Sequence, residues 1–335
     1  MSNLVKRTSF RRLIWMLIKQ RWVVVWLTSD GKNLYLTNKS KATTDTQIVA
    51  SDGSTFSPVS INLRTVLYVL DASTSYSLAI TVKNGVPLLD GEPVGKTVTS
   101  QPIEVVANPE GMGYSIAANE LRRCIRIANS LGIKNQNKAI GAEISIDADG
   151  WHFTGTDTEI LFTSVAPGTC ITPVTMVLSH SAVVNLQFAV NSTYGVSKEL
   201  VHASVTDDLL TIGNNNWRMS IARQQVPFPD WRHLTVINTD GYTDARRMRR
   251  EIDISDGSTY YSISAVAGLM EVLPYRGNSA VVLDRKHLEY LFKVFGNFMH
   301  AKFRGSKDPV IIECMSTAHN PWLMTAYIPP VTPVY

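Results

Sequence analysis

At 335 residues the chain is too long for one ordinary core, and two or three domains are expected. Apolar residues make up 44% and charged residues 18%, which excludes a disordered chain; a net charge of +4 and a pI near 8.9 permit a polyanionic partner without demanding one. The three cysteines (Cys124, Cys170, Cys314) are odd in number and far apart, which argues against a disulfide framework or a zinc site and for a reducing, cytoplasmic setting.

The first segment, KRTSFRRLIWMLIKQRWVVVWL, has the basic-then-apolar order of a signal peptide. Lys19 and Arg21, however, break the apolar run after six residues, Leu13 to Ile18, whereas a membrane span needs about 20. The segment is read as a basic helix, SFRRLIWMLIKQ, running into a buried strand, WVVVWLTSDG, with KNLYLTNKS after it. SINLRTVLYVLDAS is a second helix with Leu63, Val66, Leu67 and Leu70 on one face. YSLAITVKNG and VPLLDGEPVG follow as strands joined by the turn pair Asn84-Gly85.

The same phrase returns at AANELRRCIRIANSLG, where Leu121, Cys124, Ile125 and Ala128 form an apolar stripe, Asn119 is placed as N-cap and Gly132 as stop. Strands AEISIDADG and WHFTGTDTEILFTSVA come next, then helix LSHSAVVNLQFAVN and strands LVHASVTDD, LLTIGNN and NWRMSIAR. Helix DRKHLEYLFKVFGNF and strands HAKFRG, PVIIECM and WLMTAYIPPV close the chain. One helix-plus-antiparallel-strand module is therefore repeated, two modules to a domain, giving an α+β chain of three similar domains, 1–102, 103–236 and 237–335. Only TDARRMRRE is available for the first helix of the last domain, and it is short.

The polar faces of the helices are basic. The first carries Arg7, Arg11, Arg12 and Lys19, the second Arg64, the third Arg122, Arg123, Arg126 and Lys134. Arg246, Arg247, Arg249 and Arg250 cluster in DARRMRREI, and Arg285, Lys286 and Lys293 lie in the last helix. Two readings fit: separate solvated faces, or one lining that follows phosphates without reading sequence.

Between the middle and last domains stands QQVPFPDW. Pro227 and Pro229 remove two N–H donors and end the strand, and Phe228 and Trp231 are expected to bury aromatic area at the junction. The stretch LLTIGNNNWRMSIARQQVPFPDWRHL resembles the bacterial DNA polymerase III sliding clamp (beta subunit) family, which has an F-P-D-[YW] loop there. GTDTEILF is similar to that family's T-D-x-x-x-L turn, LDRKHLEYLFKVF to its last helix, and PVIIECMSTAHNPWLMTAYIPPV to its closing hairpin. The likeness covers about 103–335; residues 1–102 match in layout alone.

The resemblance implies the DNA-clamp fold and a processivity factor, a homodimeric ring joined head to tail. Sheets lie outside and helices line a hole around duplex DNA. It also implies a pocket for short hydrophobic motifs of polymerase and clamp loader. Carried over by motif position, the pocket takes Thr156 and Leu161 from the turn, Pro229, His233 and Leu234 from the loop, and Ala326, Ile328 and Pro329 from the final strand. Thr158, Glu159 and Ile160 stand where the family has Gly and basic residues, so altered partner specificity is expected. These departures suit a divergent clamp of a phage or other mobile element.

No HExxH, GxSxG, P-loop or strand-flanked GxGxxG is present, and no enzyme, metal or cofactor is expected. The acidic TDD at 206–208 is read as a hairpin turn. Two rivals are a clamp-fold regulator or decoy that forms no productive ring, and a β-rich carbohydrate-binding or structural protein; the second leaves the basic helices unexplained.

Overall fold

The computed structural model describes residues 2–96, 102–111, 113–130, 141–156, 160–192, 199–231, 240–245, 247–248, 258–267, 269–277, 281–295, 300–305, 307–315 and 323–330. The chain divides into two compact units, Met1–Ala118 with Asn185–Arg223, and Asn119–Val184 with Gln224–Tyr335. No helix among the described residues is long and apolar enough to cross a membrane.

Each helix is preceded by a short strand and followed by several more. β1 (Asn3–Lys6) leads to α1 (Arg7–Lys19), then β2 (Val24–Asp30), β3 (Asn33–Lys39) and β4 (Thr43–Ala50). β5 (Thr55–Asn62) leads to α2 (Leu63–Ala72), then β6 (Ser77–Lys83), β7 (Val86–Leu89), β8 (Glu92–Pro93) and β9 (Gly95–Lys96). β10 (Tyr114–Ala117) leads to α3 (Ala118–Ser130), β11 (Ala142–Asp147), β12 (Gly150–Thr156), β13 (Leu161–Ala166) and β14 (Gly168–Thr169). β15 (Val174–Leu178) leads to α4 (His180–Ser192), β16 (Leu200–Val205), β17 (Leu209–Gly213) and β18 (Trp217–Ala222). Then come β19 (Thr243–Ala245), β20 (Arg247–Met248), β21 (Tyr260–Val266) and β22 (Leu269–Pro274). β23 (Val282–Asp284) leads to α5 (Arg285–Phe295), β24 (His300–Phe303), β25 (Val310–Met315) and β26 (Leu323–Ile328).

The modules work in pairs by exchanging the strands that precede their helices. β1 pairs with β6, which follows α2, and β5 pairs with β2, which follows α1. The same exchange joins β10 to β16 and β15 to β11; in the last part β19 pairs with β24, which follows α5, and β23, which precedes α5, pairs with β21, all antiparallel. The repeat read from sequence is therefore real, but its unit opens with a strand.

In the first unit the strands run β10-β16-β17-β18-β4-β3-β2-β5-β9 in one sheet and β1-β6-β7-β8 in another. Phe10, Ile14 and Leu17 of α1 and Val66 and Leu70 of α2 pack on Val25, Leu27, Leu36 and Ile61. This is the period-3.6 stripe meeting the period-2 stripe that the sequence displays. In the second unit the order is β15-β11-β12-β13-β26-β25-β24-β19 in one sheet and β20-β22-β21-β23 in the other. Tyr261, Leu288, Leu291, Phe162, Ile312 and Ile328 centre its core.

Local chemistry explains several boundaries. Asn62 caps α2, its Oδ1 accepting from the N–H groups of Arg64 at 3.0 Å and Thr65 at 3.2 Å. Asn84 (φ 51°) and Gly85 (φ 76°) have the paired positive φ of a type I′ hairpin, as expected. The TDD hairpin also holds, with Thr206 N–H donating to the Leu209 carbonyl at 2.9 Å. Two expectations need correction. Asn119 lies inside α3, which begins at Ala118, so it is not the N-cap. In TDARRMRRE, Thr243–Ala245 and Arg247–Met248 are strand, because they pair with β24 and β22, while Arg246 and 249–251 lie outside the described residues.

Candidate nucleic-acid interface and peptide-binding site

In the first unit the two helices share one exposed basic face. Arg7 Nε donates to the Leu70 carbonyl at 2.9 Å, and Arg11 forms an ion pair of 2.5 Å with Asp71, so the start of α1 lies beside the end of α2. Arg12, Lys19 and Arg64 are exposed, and Lys19 Nζ sits 3.6 Å from the centroid of the Trp15 ring. The sequence reading expects cations on these helices, and the structure exposes Arg12, Lys19 and Arg64. That reading missed two neighbours, Trp15 at 46% exposure and Tyr68 at 76%, whose signal was an aromatic at a polar helix position.

In the second unit the basic residues divide. Arg126 on α3 is exposed, whereas Arg122 and Arg123 are half-buried. Arg123 pairs with buried Glu120 at 2.7 Å, and burial lowers the guanidinium's pKa. Arg285 on α5 is half-buried and held by Glu289 at 2.9 Å, while Lys286 is exposed. Arg247 is on strand β20. Lys134, Arg246, Arg249 and Arg250 lie outside the described residues. Arg123 and Arg285 thus serve intrahelical ion pairs as well as any face, a use that the spacings Glu120–Arg123 and Arg285–Glu289 display.

The proposed peptide site falls on the second unit. Thr156 and Leu161 are register partners in the β12–β13 hairpin, and the Thr156 hydroxyl donates to the Ile160 carbonyl at 2.8 Å. Residues 157–159 lie outside the described residues. β13 then pairs with β26, Leu161 opposite Tyr327 and Phe162 opposite Ala326. Strand alternation sets the faces: Thr156, Leu161 and Tyr327 share one, while Ala326 and Ile328 point the other way into the core at 0% exposure. Pro329 is exposed just beyond β26. Tyr327 was not among the residues carried over by motif; alternation along TAYIPP is the signal that finds it.

The linker begins along the β15 edge of the same sheet. Gln224 N–H donates to the Val177 carbonyl at 2.8 Å, and Trp231 Nε1 donates to the buried Glu143 carboxylate at 3.0 Å. Phe228 and Trp231 are half-buried, so the aromatic burial expected of them is partial, and Pro229 is exposed. A cavity of about 440 Å3 lies beside Trp231, lined also by Ser145, Asp147, His152 and Thr175. His152 Nε2 is 3.0 Å from Asp147, and that bond, although set against some burial, holds the Asp147 carboxyl below its ordinary pKa. His233 and Leu234 lie outside the described residues.

No protein-family model and no curated protein matches the sequence. Solved structures do. The DNA polymerase III subunit beta of Pseudomonas aeruginosa superposes with a TM-score of 0.76 at 12% identity, covering 99% of this chain and 100% of that one. The DNA polymerase sliding clamp of Bacillus subtilis gives 0.74 at 12% identity, and the beta subunit of Thermotoga maritima 0.74 at 10%, each covering 100% of both chains. Whole-length superposition shows that this chain has the fold of the bacterial DNA polymerase sliding clamp.

Proposed function

We propose that the protein is a non-enzymatic sliding clamp that encircles duplex DNA and tethers a polymerase through a hydrophobic peptide-binding site. The observation that carries this reading is whole-length likeness to clamps at TM-scores of 0.74–0.76. The three strand exchanges support three domains, 1–102, 103–236 and 237–335, each built of two modules. Two copies joined head to tail would bring six such domains into a closed ring.

The exposed cations Arg12, Lys19, Arg64, Arg126 and Lys286 are the phosphate-facing set, and contacts of this kind hold a duplex without choosing its sequence. Tethering keeps the polymerase at a high effective concentration beside the primer end, so a weak and exchangeable peptide contact suffices. On the peptide side, Tyr327 and Pro329 form the contact surface, with buried Thr156 and Leu161 beneath it on the same face; Ala326 and Ile328 support it from the core.

Negative-stain electron microscopy at micromolar concentration tests the reading. Rings with an open centre and a sixfold outline are expected. Isolated crescents would replace the clamp with a clamp-fold regulator or decoy, and compact particles without a hole would remove both.

A further inference from the structure

A face that only slides over duplex needs cations and gains nothing from exposed aromatics, because the bases it passes are stacked away inside the helix. The α1–α2 face nevertheless exposes two. Trp15 lies one turn beyond Arg11, and Tyr68 one turn before Asp71, so the Arg11–Asp71 ion pair joins the stripes that carry them. Thr8, Arg11, Arg12 and Trp15 fall on one helical stripe and line a surface depression of about 380 Å3. Lys19 Nζ lies over the same ring, 3.6 Å from its centroid. α1 carries four basic residues and no acidic one, and α2 adds Arg64 against Asp71. Leaving a Trp and a Tyr in water forgoes apolar burial that the fold could have used, since Phe10, Ile14 and Leu17 of the same helix are buried.

We propose that this face binds single-stranded DNA, Trp15 and Tyr68 stacking on unpaired bases while Arg12, Lys19 and Arg64 hold the flanking phosphates. Every base has a π-face, so such stacking tolerates any sequence, and the cations beside it follow the backbone. The occupant is chosen by charge complementarity: a basic face studded with aromatics suits a polyanion with exposed rings better than it suits an apolar protein surface. The proposal rests on the clamp reading only in placing nucleic acid at these helices. It gives the ring a second grip at a primer–template junction, where duplex and unpaired template meet.

Fluorescence-anisotropy titration of the full chain with a labelled oligothymidylate and with a labelled duplex of equal length tests it. Trp15→Ala with Tyr68→Ala is expected to weaken oligothymidylate binding about tenfold or more, within the range for loss of base stacking, and to change duplex binding by less than about twofold. Trp15→Phe, which keeps an aromatic ring, is expected to retain most of the affinity. Circular dichroism melting checks that the double variant stays folded, as the exposure of both side chains predicts. Unchanged oligothymidylate binding, or an equal loss on both probes, overturns the proposal, as does a change in sedimentation coefficient without a change in binding, which would make the face a protein interface. Micrographs without rings, together with the selective loss on oligothymidylate, would sink the clamp reading and leave this proposal standing.

Discussion

Asp45 shows how far a single side chain can depart from what its residue type suggests. It is 5% exposed in the middle of β4; its Oδ2 accepts from the Thr43 hydroxyl at 3.1 Å, and its Oδ1 has no hydrogen-bond partner among the described residues. Asn185 Nδ2 in turn donates to Thr43 Oγ1 at 2.9 Å. Burial pushes the Asp45 carboxyl from its ordinary 3.8 up to about 7, although the Thr43 bond opposes the rise. The folded state therefore keeps its proton to about neutral pH, while the unfolded chain releases it near 3.8. The protonated carboxyl's contribution to stability is present in full below pH 3.8 and is lost as pH rises through about 7. A shift of this size corresponds to an upper limit of about 4 kcal/mol. Asp45→Asn, which cannot ionise, is expected to unfold at higher urea concentration than the natural protein at pH 8 and to flatten the stability profile between pH 4 and 7. An unchanged profile would show that Asp45 is not the group responsible.

Secondary-structure elements end where side chains alone do not dictate it. α1 closes with the Trp22 N–H on the Leu17 carbonyl at 3.0 Å and the Arg21 N–H on the Ile18 carbonyl at 2.9 Å, the two bonds of a Schellman motif. Its left-handed position is filled by Arg21 at φ 64°, where a Cβ is disfavoured and glycine is usual. Arg21→Gly is expected to raise stability by about 1 kcal/mol, read as a higher Tm; a lower Tm would mean that the arginine side chain contributes more than its backbone costs. The helices themselves were legible, since apolar stripes such as Leu63–Val66–Leu70 leave little choice. β4, with sequence TTDTQIVA, was not. Its Thr43, Asp45, Thr46 and Gln47 are polar yet buried, and Thr46 Oγ1 accepts the Val106 N–H at 3.1 Å while meeting Thr37 Oγ1 at 3.1 Å. A central strand satisfied by such partners carries no hydrophobic alternation to read.

At the scale of the whole molecule, β4 lies beside β18, and β13 lies beside β26, so strands distant in sequence continue one another's sheets. The β13–β26 junction gives the proposed peptide site its geometry and decides how that site can be probed. A charge at Ile328 or Leu161 would be buried, at 0% and 4% exposure, and would unfold the strand rather than report on a partner. Pro329 is exposed, so Pro329→Glu combined with Tyr327→Ala is expected to leave rings intact in micrographs while abolishing stimulation of primer extension on circular DNA. Stimulation that survives the pair would move the peptide site elsewhere on the surface.

The sequence by itself determined the helices, the repeat, the basic helix faces and the linker punctuated by Pro227 and Pro229, because each is written in local spacing, charge or backbone chemistry. Only the tertiary structure decided that modules exchange their first strands and that Ala326 and Ile328 face the core while Tyr327 faces out. Those outcomes depend on register between strands far apart in the chain and on which side chains lose water together, and local sequence spacing does not contain that information.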